Sequence, residues 1–111
     1  MFEKNLNVGY LLDFYGDILP ERKRGVMDMY YNEDYSLAEI ASEIGISRQG
    51  VRDIIKKSEE ELFFYEEKLG LAKKLKNAFD SVERLERITA ELSLPEDFYS
   101  EFSELKKIIS Q

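Results

Sequence analysis

The segment Ser36 to Lys57, SLAEIASEIGISRQGVRDIIKK, holds the side chains of this sequence best suited to binding another molecule. Its second half carries Arg48, Gln49, Arg52, Lys56 and Lys57 against one acid, Asp53. Arginine can donate two hydrogen bonds to guanine, glutamine can bracket adenine, and lysine suits phosphate. From Arg48 to Lys57 the charge is four basic minus one acidic, or +3, whereas the 111-residue chain carries −7. The acidic average repels phosphate backbones, so any nucleic-acid binding must be local.

The residues around this cluster predict a helix-turn-helix motif. Ser36 and Glu39 form a capping-box pattern that starts one helix, Gly45 is suited to end it, and Ser47 can cap the next. Two helices are then joined by three residues, as in helix-turn-helix proteins. The small and apolar residues that meet this register are Ile40, Ala41, Ile44, Gly45, Ile46, Val51 and Ile54.

In this register the start of the second motif helix faces outward, at the positions that such motifs insert into the major groove. The predicted nucleic-acid-binding residues there are Ser47, Arg48, Gln49, Arg52, Lys56 and Lys57. Arg22 and Arg24 join them, because a phosphate contact would explain cations in the first turn of a helix. The alternative is that both groups are ordinary solvated helix surface.

The rest of the chain also shows helical periodicity, which predicts an all-α fold of six helices. The first runs from Phe2 to about Tyr15, the second starts at Pro20, and the fourth ends at Gly70. Apolar residues then recur from Leu71 to Leu92, and a last helix follows Pro95. We predict a helix-turn-helix domain over residues 1–70 and a helical extension over 71–111 that packs on it or on a partner subunit. Phe63 to Tyr65 is expected to be core.

The amino-acid composition excludes several classes of function. The chain has no cysteine and no histidine, which removes disulfides, thiolate or imidazole metal sites and most nucleophilic triads. We therefore expect a protein that is not an enzyme and has no metal or cofactor. No secretion signal or long apolar run is present, so we expect a cytoplasmic protein without membrane insertion.

The stretch from Leu19 to Leu62 resembles the promoter-reading fourth region of bacterial sigma factors. With NVGYLLDFYGDILPERKR and the helical tail, almost the whole chain is similar to the YlxM family of small helix-turn-helix proteins. That family's genes accompany those of the signal recognition particle. The resemblance implies an accessory or regulatory protein of that pathway, touching its RNA or its protein component.

Two other functions remain open from the sequence. One is a DNA-binding transcriptional regulator of the sigma region 4 type. The other is a protein–protein interaction module that uses the acidic surface and binds no nucleic acid. We also predict a homodimer, because the seam from Leu71 to Leu92 and the face of Phe98, Phe102, Leu105 and Ile109 exceed what one short motif can cover.

Overall fold

The structure, a computed structural model, describes Lys4 and residues 6–110, and all regular structure in that part of the chain is helical. The helices are α1 (Leu6–Tyr15), a 3₁₀ turn (Gly16–Ile18), α2 (Glu21–Tyr31), α3 (Leu37–Ile44), α4 (Arg48–Leu69), α5 (Leu71–Thr89) and α6 (Glu96–Ser110). The predicted all-α class with six α-helices is confirmed over these residues. Phe2, the predicted start of the first helix, lies outside them.

The chain divides into two compact units, residues 1–70 and 71–111. In the first unit, α1, α2 and α3 each contact α4. In the second, α5 and α6 contact each other. The helix-turn-helix motif, α3 and α4, therefore belongs entirely to the first unit.

The motif turn forms as its sequence predicts. The Ser36 hydroxyl accepts from the Glu39 N–H at 3.1 Å, and the Glu39 carboxylate accepts from the Ser36 N–H at 3.1 Å, which confirms the capping box. Gly45 ends α3 at φ 73° and ψ 37°, a left-handed conformation that glycine adopts without steric penalty. The N–H groups of Gly45 and Ile46 both donate to the Ala41 carbonyl, at 2.9 and 3.1 Å.

The start of α4 is held by a second cap. The Ser47 hydroxyl oxygen accepts from the Gly50 N–H at 3.0 Å. A Cβ at Gly50 would lie 3.2 Å from Cδ1 of Ile46 and 3.3 Å from Oγ of Ser47, tighter than ordinary contacts. The missing side chain at Gly50 thus lets the turn fold closely onto α4.

One side of α4 forms the centre of the first unit. Val51, Ile55, Ser58 and Leu62 are fully buried and step by four and three residues along the helix. The Ser58 hydroxyl donates to the Ile54 carbonyl at 2.7 Å, so the polar group in this stripe is satisfied. Because this stripe faces α1, α2 and α3, the opposite side of α4 is left to solvent.

The fifth helix is shorter than the periodicity indicates. It ends at Thr89, and Leu92 lies in the following turn, with its N–H donating to the Thr89 carbonyl at 3.0 Å. Pro95 restricts Leu94 to extended backbone, so α5 cannot run on as one continuous helix into α6. Over the described residues, no helix is both long enough and apolar enough to cross a membrane.

The left-handed turn gives a first prediction, for Gly45. Gly45→Ala should lower the free energy of unfolding by about 1–2 kcal/mol, and Gly45→Val by about 1–3 kcal/mol, because a Cβ disfavours positive φ. The matched control is Gly25→Ala in α2, where a new Cβ meets no atom within 4 Å. Since alanine is the better helix former, that change should be neutral or stabilising by up to about 1 kcal/mol. Urea unfolding measures all three; equal stability of the Gly45 and Gly25 variants would contradict the turn geometry.

Candidate nucleic-acid interface

The first turns of α4 present a row of exposed cations. Arg48, Arg52, Lys56 and Lys57 are all exposed; the first three step by four residues along the helix, and Lys57 lies roughly 100° further around it. None of the four makes an ion pair or a side-chain hydrogen bond with another residue in the described part of the chain. Their donors are therefore available to an external anion.

The surroundings of this row also favour negative ligands. The first turn of α4 contains no acidic residue, and the partial positive charge of the helix N-terminus adds to that of Arg48. The Gln49 amide nitrogen donates to Asp53, the one acid within residues 48–57, at 3.0 Å. Gln49 would have to exchange this bond in order to bracket a base.

Ser47 is exposed, but its oxygen already serves the helix cap. The hydroxyl proton remains available to donate. Ser47 therefore caps α4, as the sequence predicts, and could still donate its hydroxyl proton to a base or a phosphate.

Most cations outside this row, in the same unit, have intrachain partners. Lys4 pairs with Asp34 and lies 4.9 Å from the ring centroid of Tyr30, and Lys23 pairs with Glu61. The Lys68 ammonium lies 5.8 Å from the centroid of the Phe64 ring. Among the described residues of the first unit, the cations without an ion pair or a ring contact are therefore those of the first half of α4 and Arg22.

Arg24, predicted to contact phosphate, is committed to an internal ion-pair network instead. Its guanidinium donates to Asp17 at 2.7 Å and to Asp28 at 3.1 Å. The hydrogen bond to Asp28 is the main cause that raises the pKa of Arg24 above its ordinary value. A Cβ at Gly16 would lie 2.6 Å from Nη1 of Arg24, so the guanidinium rests against the 3₁₀ turn. These two acids, rather than a phosphate, compensate the cation at the start of α2.

Arg22 differs from Arg24 in having no acidic partner in the part of the chain that the structure describes. It is exposed and has no ion pair within the described residues. The structure thus separates the two arginines that the sequence prediction treated alike: Arg22 is available to a ligand, and Arg24 is a brace between α2 and the preceding turn.

The predicted motif core is placed partly as expected. Ile40, Ala41 and Val51 are buried, and Ile44, Ile46 and Ile54 are half-buried. Gly45 is exposed, because its role is in the turn and not in packing. Ile55, one position beyond the motif list, is fully buried and is the stronger core residue of the pair.

Two aromatic residues that were predicted to be core are on the surface. Phe63 is 44% exposed and Phe64 is 53% exposed, whereas Tyr65 is half-buried with its ring centroid 6.0 Å from that of Tyr15. Phe63 and Phe64 directly follow Leu62 along the helix, so their side chains are turned away from the buried stripe. The sequence shows this once the stripe is placed at Val51, Ile55, Ser58 and Leu62.

Acidic side chains do not form a second type of site. In the part of the chain that the structure describes, no three carboxylates are grouped so as to hold a metal ion. Several acids on the C-terminal half of α4 instead accept from neighbouring helices: Glu66 from the Tyr15 hydroxyl at 2.6 Å, Glu59 from the Tyr31 hydroxyl, and Glu61 from Lys23. These contacts hold α1 and α2 against α4.

Comparison with known proteins agrees with this geometry. A family profile described as "helix-turn-helix protein, YlxM / p13 like", UPF0122, matches residues 2–108. A UPF0122 protein of Listeria monocytogenes is 40% identical over 109 residues, which cover 97% of this chain and 99% of the relative. One from Caldanaerobacter subterraneus subsp. tengcongensis is 49% identical over 75 residues, covering 68% of this chain and 64% of the relative. One from Clostridium kluyveri is 49% identical over 75 residues, covering 68% of each chain.

The profile covers nearly the full length, including both units, and the relatives share its name. Together with the capped α3, the glycine turn and the outward-facing start of α4, this match shows that the chain belongs to the UPF0122 family of YlxM / p13-like helix-turn-helix proteins.

Proposed function

We propose that this protein is a non-enzymatic accessory or regulatory protein of the signal recognition particle pathway, and that it binds nucleic acid through the first half of α4. The observation that supports nucleic-acid binding is the group of four exposed cations, Arg48, Arg52, Lys56 and Lys57, none of which forms an ion pair with an acid of the described residues. Arg22 and Gln49 supply further exposed donors. The pathway comes from the resemblance to the YlxM family, whose genes accompany those of the particle.

The chemistry of this surface favours the particle's RNA as the ligand. Arg48, Arg52 and Lys56 step by four residues along α4, and with Lys57 the cations span about three turns, a length that suits a few phosphates rather than an extended duplex track. A-form RNA has a major groove too narrow for side chains to read, so α4 would contact loops or backbone phosphates. The net charge of −7 keeps the remaining surface from adding nonspecific contacts.

A second function, protein docking, has its own observation. Phe63 and Phe64 are exposed on α4 with the exposed acids Glu60 and Glu67 on the same helix. An acidic and aromatic surface suits a basic, apolar partner such as the protein component of a ribonucleoprotein. Binding through this surface would not need the cations at the start of α4.

The salt dependence of RNA binding tests the proposed mechanism. If three to five phosphates are neutralised, the logarithm of affinity for signal recognition particle RNA should fall against the logarithm of salt concentration with a slope of roughly −2 to −5. The measurement is a fluorescence anisotropy titration at several salt concentrations. A slope near zero would contradict a phosphate-binding surface.

Charge reversal locates the interface. The triple variant Arg48→Glu, Arg52→Glu and Lys56→Glu should lose RNA binding and keep its helical circular dichroism, because all three side chains are exposed. The matched control is Lys76→Glu, Arg87→Glu and Lys107→Glu, three exposed cations of the second unit with the same change in net charge. The control should bind RNA at least ten times more tightly than the α4 variant. Equal loss in both would indicate a general charge effect.

The α4 triple variant and its control also distinguish RNA binding from protein docking and from DNA binding. Binding to the protein component that survives the α4 change would favour the docking function. Sequence-specific binding to duplex DNA, with no binding to the RNA, would favour a regulator of the sigma region 4 type.

Arg22 and Arg24 provide a further matched pair. Arg24→Gln should lower the free energy of unfolding by about 0.5–1 kcal/mol, because it removes a partly exposed ion pair with two carboxylates. Arg22→Gln should leave stability unchanged and weaken RNA binding by a few-fold, as expected for one phosphate contact. Thermal unfolding and anisotropy measured on both variants check this. A stability loss at Arg22 equal to that at Arg24 would contradict the assignment.

A further inference from the structure

The second unit is a pair of helices with little core of its own. Ala72 and Val82 are its buried apolar residues among those described, and α6 contributes none. Phe98, Phe102 and Ile109, which the sequence prediction assigned to a dimer face, are half-buried, and α5 contacts α6. Part of the apolar surface predicted to form the dimer interface is therefore already half-buried in the single chain.

Several large apolar side chains of this unit stay exposed, and four of them lie in the second halves of α5 and α6. Leu85 is 49% and Ile88 is 69% exposed on α5, and Leu105 is 42% and Ile108 is 63% exposed on α6. Each pair is spaced by three residues, so each forms a short stripe along its helix. We name these four residues the hairpin face.

The two stripes lie on the same side of the hairpin. The helices are antiparallel, since Tyr99 donates to the Leu92 carbonyl while Lys106, further along, pairs with Glu86. In each helix the stripe is rotated in the same sense from the buried and half-buried apolar positions, by roughly 100° in α5 and roughly 70° in α6. Glu86 and Lys106 are each rotated in the opposite sense from those positions, and they form an ion pair with each other. In two antiparallel helices, side chains that are rotated in the same sense from the contact lie on the same side of the pair. The Glu86–Lys106 ion pair therefore lies on one side of the hairpin, and the hairpin face lies on the other.

The charges of the two helices indicate what covers this face. Counting residues within each helix, α5 has five basic and three acidic side chains, or +2, and α6 has two basic and four acidic, or −2. A purely acidic or purely basic partner would attract one helix and repel the other. A second copy, turned so that its α6 lies on α5, offers complementary charge to both helices at once.

We infer that the hairpin face binds the hairpin face of a second copy of this chain, so that two α5–α6 pairs form a four-helix bundle. In such a bundle α5 and α6 alternate around the core, and every neighbouring pair has opposite net charge. The four residues of each hairpin face then supply the core that a single hairpin lacks. This association is independent of RNA binding by α4.

Sedimentation of the full chain tests the inference. The wild type should sediment at twice 13.0 kDa at low micromolar concentration, and the variant Leu85→Gln with Ile88→Gln should raise the dimer dissociation constant on the order of 100-fold. The matched control is Phe63→Gln with Phe64→Gln, two exposed apolar residues of the first unit. That control should remain dimeric. A monomeric wild type, or a control that dissociates as readily as the hairpin variant, would overturn the inference.

A mixing experiment tests the pairing of α5 with the partner's α6. Arg84 on α5 and Glu104 on α6 are exposed and lie near the stripes. Arg84→Glu and Glu104→Lys should each weaken self-association, because each homodimer then contains like charges across both contacts. A mixture of the two variants should associate more tightly than either variant alone, since opposite charges are restored in both contacts. Equal or weaker association in the mixture would overturn the alternating arrangement.

Discussion

The burial of one side of α4 is the constraint on which the first unit depends. Val51, Ile55, Ser58 and Leu62 are the residues against which α1, α2 and α3 pack. The stripe fixes the rotation of α4 about its own axis, so it also decides which side chains reach solvent. The glycine turn at Gly45 then fixes how α3 enters this packing. The exposed cations at the start of α4 are a consequence of these two local conditions.

The same helix changes its chemistry along its length. Its first half carries Arg48, Arg52, Lys56 and Lys57 without intrachain partners in the described part of the chain. Its second half carries acids, three of which accept hydrogen bonds from α1 or α2. One half of α4 thus holds the unit together by charge and hydrogen bonding, and the other half carries exposed cations without ion pairs in the described part of the chain. This division explains how an acidic protein can present a local cationic surface.

Local signals in the sequence were sufficient to predict the motif. The Ser36 and Glu39 cap, the Gly45 turn and the Ser47 cap each involve residues within four positions of one another, and short-range patterns specify such contacts. The exposure of Arg48, Arg52 and Lys56 followed from the same register. The family resemblance, found on the segment from Leu19 to Leu62, agrees with the full-length match.

Features that depend on contacts between helices were harder to predict. Arg24 reaches Asp17 across the 3₁₀ turn, and that turn has no strong signal of its own. Phe63 and Phe64 are apolar by type but lie beside the buried stripe, so composition alone placed them in the core. Leu92 fits the heptad spacing, yet α5 ends at Thr89 and Leu92 lies in the turn that follows. The pairing of α5 with α6 likewise redistributes which apolar residues remain exposed.

Nuclear magnetic resonance titration of the full chain with signal recognition particle RNA is the most direct test of where nucleic acid binds. If the interface is the first half of α4, amide shifts should change at residues 47–57 and at Arg22, and the signals of Phe63, Phe64 and the second unit should stay in place. Shift changes centred on Phe63 and Phe64, with residues 47–57 unaffected, would contradict a nucleic-acid interface on the first half of α4.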